Sequence, residues 1–266
     1  MRPLIECRLC AGRATLLFER TVLERHVAGY YQCERCGLTQ TSEPEWIEEA
    51  YASGHALHPT DTGVLARNLG ARRVVATFLH LSGVANEPCL DYGSGYGIFV
   101  RLMRDAGFNF FGLDPRAENL VARGFEWSER HGRPRACTAF EVLEHFVRPL
   151  EEFRKVATHG ADFIITSTEL HPGRRPAADW PYLSPESGQH VSFYREDTIR
   201  RLGSETGYTV VRAGPFFQLF ARRSFPGWRW RLATQASAVL FPLVRRARHS
   251  LTLDDCERLR REEGAQ

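Results

Sequence analysis

A short stretch with three glycines constrains the fold more than any other part of this sequence of 266 residues. An apolar run ends in Asp91, then Gly93, Gly95 and Gly97 alternate with other residues, and an amphipathic run follows. This order predicts a strand, a tight turn and a helix start, because glycine bends sharply and lets a ligand approach without meeting a Cβ atom. The first amides of the helix point into the turn. The stretch therefore predicts a nucleotide-type ligand at the end of a strand.

The spacing of the glycines separates two kinds of ligand. A dinucleotide fingerprint reads G-x-G-x-x-G, whereas here Gly97 comes one residue early and Ile98 takes the expected place. The carboxylate of Asp91 would repel a pyrophosphate but attracts a ligand that carries an ammonium and a sulfonium group. The turn therefore favours S-adenosylmethionine over a nicotinamide dinucleotide.

The pattern after the turn alternates strands with helices. Asp114 ends the second strand, 23 residues after Asp91, where a carboxylate can accept hydrogen bonds from two ribose hydroxyls. We expect a helix over residues 117–123 and a weak third strand within 125–133. We also expect the last two strands to form a hairpin. This rhythm predicts an α/β fold with a parallel sheet covered by helices on both faces.

Four cysteines near the start of the chain form two C-x-x-C pairs. Cys7 and Cys10 precede Cys33 and Cys36, with 22 residues between the pairs, and the alternating pattern between them predicts a hairpin. Four thiolates suit a tetrahedral structural zinc with no open position. The other three cysteines lie singly, which fits a reducing compartment better than a disulfide framework. Acidic residues follow the second pair, which argues against a phosphate-binding face.

Three motifs together resemble class I S-adenosylmethionine-dependent methyltransferases: the turn from Asp91 to Gly97, the segment from Phe140 to His145, and the segment from Gln189 to Tyr194. The chain is most similar to the bacterial group with an N-terminal zinc ribbon, which includes deoxysugar C-methyltransferases and enzymes of polysaccharide and natural-product clusters. The resemblance implies a Rossmann-like α/β fold. Its sheet would have seven mostly parallel strands and an antiparallel last hairpin, with a small N-terminal zinc ribbon and a C-terminal helical tail.

The resemblance covers the chain up to about Arg223. We divide the whole sequence into four predicted parts. These are a zinc ribbon over residues 1–45, a helical linker or cap over 46–85, a class I methyltransferase domain over 86–223 and an Arg-rich helical tail over 224–266.

The resemblance also implies a set of cofactor contacts. Gly93 and Gly95 would approach the methionine part, Asp91 would hold its amino end, and Asp114 would take the ribose. The full predicted cofactor-binding set is Asp91, Gly93, Gly95, Tyr96, Asp114, Pro115, Phe140 and Glu141, of which the last two would line the pocket near the methyl group.

Methyl transfer from a sulfonium is an in-line displacement that needs alignment, plus a base when the acceptor is an alcohol. His190 and His145 are the candidate bases, because an imidazole titrates near neutrality. Glu144 completes the predicted catalytic set, although Glu144 and His145 can equally brace the loop after the fourth strand. The sugar C-methyltransferases use a Glu-His dipeptide to deprotonate the sugar. Here the pair reads Gln189-His190, which favours a hydroxyl acceptor.

The remaining candidate residues belong to the substrate side. Tyr51 and His55 lie in a connection that can close over the cofactor or simply pack as a hinge. Trp180 and Tyr182 lie in the long proline-rich segment over residues 169–190, which is typical of a lid. They can stack on a sugar ring or pack within the lid, and Gln189 is the fifth candidate.

The tail carries no acidic residue from Tyr208 to Leu253, and its arginines are interleaved with Trp228 and Trp230. Such a helix can lie on an anionic membrane, pack on the sheet or serve as a homodimer partner. We find neither a signal peptide nor an apolar run of membrane-spanning length. We therefore expect a cytoplasmic protein, with contact to the inner face of the membrane as an open alternative.

These observations predict an S-adenosylmethionine-dependent O-methyltransferase that acts on a sugar or glycan hydroxyl in polysaccharide biosynthesis. One alternative is a deoxysugar C-methyltransferase that acts on a nucleotide-linked ketosugar. The other is a zinc-ribbon nucleic-acid-binding protein without catalysis. The net charge of +3 is too small to argue for a nucleic-acid partner, and we expect none.

Overall fold

The computed structural model describes residues 4–52, 61–171 and 174–263. The chain forms two compact units. The first comprises Met1–His55 and Ala139–Ser224, and the second comprises Ala56–Thr138 and Phe225–Gln266. The domain boundaries predicted at residues 45, 85 and 223 stay predictions.

The described residues form strands and helices in the following order. The strands are β1 (Leu4–Glu6), β2 (Arg13–Val22), β3 (His26–Cys33), β4 (Thr39–Thr41), β5 (Cys89–Tyr92), β6 (Phe110–Leu113), β7 (Ala136–Phe140), β8 (Phe163–Ser167), β9 (Ser192–Phe193), β10 (Thr209–Ala213) and β11 (Phe217–Ala221). The α-helices are α1 (Ile47–Ala50), α2 (Val64–Leu81), α3 (Ile98–Asp105), α4 (Pro149–Thr158), α5 (Glu196–Glu205), α6 (Gly227–Arg246) and α7 (Thr252–Glu263).

The first unit contains an antiparallel sheet in the order β1-β2-β3-β4-β9. The hairpin predicted between the cysteine pairs is confirmed as β2 and β3. β4 pairs with β9, so that Thr39 lies opposite Phe193. A buried cluster that includes Tyr30, Trp46 and Phe193 covers this sheet. The segment that follows His190 thus becomes the edge strand of the sheet that carries the cysteines.

The predicted Rossmann-like α/β arrangement is confirmed, with a mixed sheet. In the first unit the strand order is β10-β11-β8-β7, with β10 and β11 forming the predicted antiparallel hairpin. In the second unit β5 lies between β7 and β6 and is parallel to both. β7 contributes residues to both units.

The predicted third parallel strand is reduced to a single parallel bridge between Gly112 and Glu126 in the described residues. The mixed sheet therefore has six strands here, where seven were expected.

The helix predicted over residues 117–123 is wrong, because side chains take its backbone groups. Asp114 accepts from the amide of Ala117 at 2.9 Å, and the Asn119 side chain both accepts from and donates to the backbone of Ala122. Local bonds from Asp and Asn compete with helix formation in this way. The amides of Leu120 and Val121 bond instead to the carbonyl of Tyr96.

The helical tail is confirmed as α6 and α7 within the second unit. α6 packs against α2, where the Trp230 ring meets Phe78 edge-on at 5.3 Å between centroids. α7 is fixed by a buried ion pair between Asp255 and Arg104, at 2.6 Å. No helix in the described ranges is long and apolar enough to cross a bilayer.

Candidate active site

The glycine turn between β5 and α3 has the backbone that its sequence predicted. Gly93, Gly95 and Gly97 have φ angles of 70°, 54° and 83°, a region that favours glycine because other residues place Cβ too close to the carbonyl oxygen. Asp114 holds the turn, since one oxygen of its carboxylate accepts the amide of Gly95 at 2.8 Å. Its other oxygen accepts from Arg116 at 2.8 Å. The predicted ribose ligand therefore also braces the turn.

Asp91 is the carboxylate that leads into the glycine turn. It is 3 % exposed at the end of β5 and accepts the hydroxyl of Thr138 at 2.6 Å. Burial raises the pKa of Asp91 to about 7, the Thr138 hydrogen bond lowers it, and the charge of Asp114 raises it. A buried carboxylate with such a pKa is poised to bind a cation, since a positive ligand favours its ionised form.

The other predicted cofactor residues surround the ends of strands. Tyr96 is half-buried in the turn and Pro115 is exposed after β6. Phe140 ends β7 and packs edge-on against Phe217 at 5.9 Å. Glu141 follows it with φ of 52°, a strained value for a residue with a side chain, of a kind that clusters at functional sites.

Ser167 holds Glu141 in this strained conformation. Its hydroxyl accepts the amide of Glu141 at 3.0 Å and donates to the Glu141 carboxylate at 2.6 Å. The carboxylate thus has a fixed direction at the end of β7.

Five predicted residues from four separate segments meet in the first unit, and we call them the histidine cluster: Tyr51, Glu144, His145, Tyr182 and His190. The Tyr51 hydroxyl and Nδ1 of His145 are 2.5 Å apart. The rings of His145 and His190 lie 5.0 Å apart, and those of Tyr182 and His190 lie 4.8 Å apart. The cluster groups two imidazoles, a carboxylate and two phenols.

The hydrogen bonds of His190 fix its tautomer. Nδ1 of His190 lies 2.7 Å from the backbone carbonyl of Tyr182. A carbonyl only accepts, so Nδ1 carries the hydrogen and Nε2 of the neutral ring carries the lone pair. This contact fixes the direction of the His190 ring.

Glu144 is the fully buried member of the cluster. Its carboxylate accepts the Tyr182 hydroxyl at 2.6 Å, and burial, then the charge of Glu144, raises the pKa of Tyr182 well above its usual value. Tyr182 is therefore a permanent donor. One ligand atom from each of Glu144, His145 and His190 lies within 4.8 Å of the others, so the three can act together on one small group.

The remaining substrate-side candidates have different surroundings. Trp180 donates from Nε1 to Glu169 at 3.1 Å and packs against the core that contains Phe193, as the packing alternative expects. Gln189 is buried, and its amide donates to the carbonyl of Ala50 at 3.1 Å. His55 lies outside the described residues.

The four predicted zinc ligands come together in the first unit. The Sγ atoms of Cys7 and Cys36 are 3.5 Å apart, as are those of Cys10 and Cys33, and all four lie within 4.8 Å of one another. Zinc–sulfur bonds of about 2.3 Å place tetrahedral ligands roughly 3.8 Å apart. All four thiols are buried, and their number and spacing fit one tetrahedral ion.

The sequence did not indicate two residues of this region. Thr138 donates a hydrogen bond to Asp91, and Ser167 donates one to Glu141. Both lie near the carboxyl ends of strands, on β7 and β8. Ligand-binding groups gather at this edge of a parallel sheet. A search for hydroxyl residues at strand ends would have found them.

Comparison with known proteins places this geometry in a family. The family described as a methyltransferase domain matches residues 65–213. No curated protein matches the sequence.

Several solved structures are similar at low identity. Mitomycin 7-O-methyltransferase MmcR is 18% identical, with a TM-score of 0.40 over 68% of this chain and 67% of its own. Magnesium protoporphyrin IX methyltransferase ChlM from Synechocystis PCC 6803, with bound SAH, is 16% identical, with a TM-score of 0.39 over 67% of this chain and 95% of its own. Similarities of this size say nothing about the acceptor.

Proposed function

Since the chain belongs to the methyltransferase-domain family and is an S-adenosylmethionine-dependent methyltransferase, we propose that it methylates a hydroxyl group of a sugar or glycan. The observation that carries the proposal is the orientation of His190, whose Nδ1 donates to the Tyr182 carbonyl at 2.7 Å. A base at this position suits an alcohol, which must lose its proton as its oxygen attacks.

The donor side of the reaction belongs to the glycine turn. S-adenosylmethionine supplies an electrophilic methyl group on a sulfonium when it is bound. Gly93 and Gly95 leave room for the methionine moiety of the ligand, and Asp91 attracts its ammonium group. Asp114 keeps the turn in shape through its bond to the amide of Gly95 and has acceptor capacity for the ribose hydroxyls. Tyr96, Pro115, Phe140 and Glu141 complete the proposed contacts.

The acceptor side belongs to the histidine cluster. Nε2 of His190 takes the proton of the attacking hydroxyl, a new carbon–oxygen bond forms, and the carbon–sulfur bond breaks with its electron pair left on sulfur. The products are a methyl ether, a neutral thioether and an imidazolium. A ligand atom of Glu144 lies within 4.8 Å of one of His190, and a carboxylate at this position favours the positive charge. Tyr51 orients His145, so we assign Tyr51 and His145 positioning roles.

The environment of Gln189 supports an oxygen acceptor over a carbon acceptor. Its amide nitrogen donates to the carbonyl of Ala50, which a glutamate carboxylate could not do. The glutamate of the sugar C-methyltransferase dipeptide is therefore replaced by a residue with a different structural task. The C-methyltransferase remains the runner-up, because the cluster retains His190 and adds a second imidazole.

A labelling experiment tests the acceptor chemistry. S-adenosylmethionine with an isotopically labelled methyl group is incubated in deuterated water with a panel of nucleotide sugars and glycan fragments. We expect the labelled carbon bonded to oxygen in the product. A new carbon–carbon bond, with deuterium entering beside a ketone, would instead identify the C-methyltransferase.

We also propose that Cys7, Cys10, Cys33 and Cys36 hold one structural Zn²⁺. The support is a set of four buried thiols at tetrahedral spacing on two knuckles, which leaves no open position for catalysis. Metal analysis of the purified protein should find one zinc for each chain. Family membership gives no support to the alternative of a nucleic-acid-binding protein without catalysis.

A further inference from the structure

Helix α6 carries apolar side chains on two opposite faces. One face is buried and includes Trp230, Phe241 and Val244. The other face exposes large apolar side chains to solvent: Trp228 is 59 % exposed, Leu232 37 %, Val239 72 % and Leu243 57 %. With about 100° between successive residues of an α-helix, these four fall within an arc of about 60°. We call them the outer stripe.

The outer stripe departs from the usual pattern of a packed helix, whose solvent face is polar. α6 already has its packing partner, because its buried face lies against α2 within the same unit. Burial of the stripe is thus unnecessary for this packing. Contiguous exposed apolar groups of this kind mark an interaction surface.

The charge around the outer stripe identifies the kind of partner. The sequence has no acidic residue between Tyr208 and Leu253. Arg231 and Arg246 are exposed on α6 itself. Apolar side chains beside cations, on a helix without a carboxylate, match a surface that is apolar below and negatively charged at the top.

We propose that the outer stripe docks on an anionic lipid bilayer, with α6 lying in the plane of the headgroups. Trp228 would sit at the interface, where the amphipathic indole ring is favoured, and the arginines would contact anionic headgroups. A second copy of the chain fits less well. A two-fold contact would bring the arginines of both copies together without a carboxylate on α6 to neutralise them.

Four apolar side chains and a few arginines give reversible binding. Such a surface needs both contributions, so its affinity depends on the fraction of anionic lipid and falls as salt screens the charges. The proposal concerns the second unit alone and does not depend on the acceptor of the methyl group.

Sedimentation with vesicles tests the proposal on the full chain. We expect binding to vesicles of phosphatidylglycerol with phosphatidylcholine and at least about tenfold weaker binding to phosphatidylcholine alone, since each anchoring cation loses its partner. Val239→Glu should weaken binding by about tenfold, because it replaces an inserted apolar group with a repelled anion. Val27→Glu is the matched control. Val27 is 70 % exposed, close to Val239 at 72 %, but it lies on β3, and the variant should bind like the wild-type chain.

Two results would overturn the proposal. One is failure to bind the anionic vesicles at low salt, and the other is equal weakening by Val239→Glu and Val27→Glu. Sedimentation velocity without lipid provides the competing outcome. A dimer that Val239→Glu dissociates, in a protein that ignores vesicles, would assign the outer stripe to a second copy of the chain.

Discussion

The glycine turn and the histidine cluster are built in opposite ways. The turn lies within one short stretch around Asp91 and Gly95, and its shape comes from positive φ angles that glycine adopts without strain. The histidine cluster brings together Tyr51, Glu144 and His190, which are far apart along the chain. In the function that we propose, donor binding thus depends on the local backbone, whereas acceptor methylation depends on tertiary assembly.

The difference shows why the donor was identified with more detail than the acceptor. A required backbone conformation is indicated by consecutive residues, so the spacing of the glycines predicts a ligand class directly. A cluster of side chains from distant segments has no single sequence motif that would indicate it. The same fold can therefore keep its donor while its acceptor changes. Perturbing one region should leave the other intact, and the following predictions are ordered from the largest expected effect to the smallest.

Loss of the zinc site should remove acceptor methylation and leave donor binding. Cys33→Ser breaks the proposed zinc site, whose metal would contribute folding free energy, on the sheet in which β4 pairs with β9 just after His190. We expect turnover below detection, while the Kd for S-adenosylhomocysteine in calorimetry changes less than about threefold, because the glycine turn belongs to the second unit. Cys256→Ser, at an exposed cysteine, is the control and should change neither. Retained turnover in metal-free Cys33→Ser would contradict the role assigned to zinc.

Removal of the proposed base should affect the rate and spare donor affinity. His190→Gln deletes the Nε2 lone pair, and general-base catalysis is worth about 10²–10⁴-fold in kcat. Turnover with saturating S-adenosylmethionine measures the loss. His80→Gln, at an exposed position of α2, should keep wild-type kcat. A drop in kcat of less than about threefold in His190→Gln would show that His190 is not the base.

A side chain added in the glycine turn should weaken donor binding and leave the histidine cluster unchanged. Gly95→Ala places a Cβ at φ of 54°, which costs about 1–2 kcal/mol, and we expect roughly tenfold weaker binding of S-adenosylhomocysteine. Gly70→Ala, in α2 with no atom within 4 Å of its new Cβ, should stabilise the fold by up to about 1 kcal/mol. Equal Kd values for Gly95→Ala and the wild-type chain would contradict the proposal that the glycine turn binds the donor.

Donor binding should also depend on pH through Asp91. Its pKa of about 7 in the free protein means that the carboxyl is mostly protonated below that pH, whereas an ammonium ligand needs the ionised form. Binding should weaken about tenfold for each pH unit below about 7 and be level above it.

A matched variant checks the assignment of this pH dependence. The Thr138 hydrogen bond lowers the pKa of Asp91, so Thr138→Val should move the pH dependence of the Kd to higher pH. A pH profile that is flat, or identical in Thr138→Val, would contradict the role of Asp91.

Much of the fold followed from sequence periodicity. Helix α3 begins directly after the glycine turn, and the last two strands form a hairpin, as their sequence patterns predicted. The helix expected over residues 117–123 failed because Asp114 and Asn119 bond to backbone amides there. Their capping effect outweighed a weak helical pattern.

The site was predictable in its residue types and less so in its contacts. The histidine cluster contains five residues proposed from sequence, yet their meeting depends on the pairing of β4 with β9, which no local pattern indicates. Gln189 was proposed as a substrate contact, but its amide bonds to the backbone of Ala50. Thr138 and Ser167 were missed because a single hydroxyl in an apolar strand has no spacing pattern of its own.

Calorimetry with S-adenosylhomocysteine on three proteins tests most directly the claim that the glycine turn binds the donor and the histidine cluster performs the proton transfer. The wild-type chain and His190→Gln should bind with Kd values within about threefold of each other, since His190 holds no part of the donor. Asp91→Asn keeps the acceptor for Thr138 but loses the charge, and should bind at least about tenfold more weakly. Absence of binding by the wild-type chain, or equal weakening in His190→Gln and Asp91→Asn, would contradict the account.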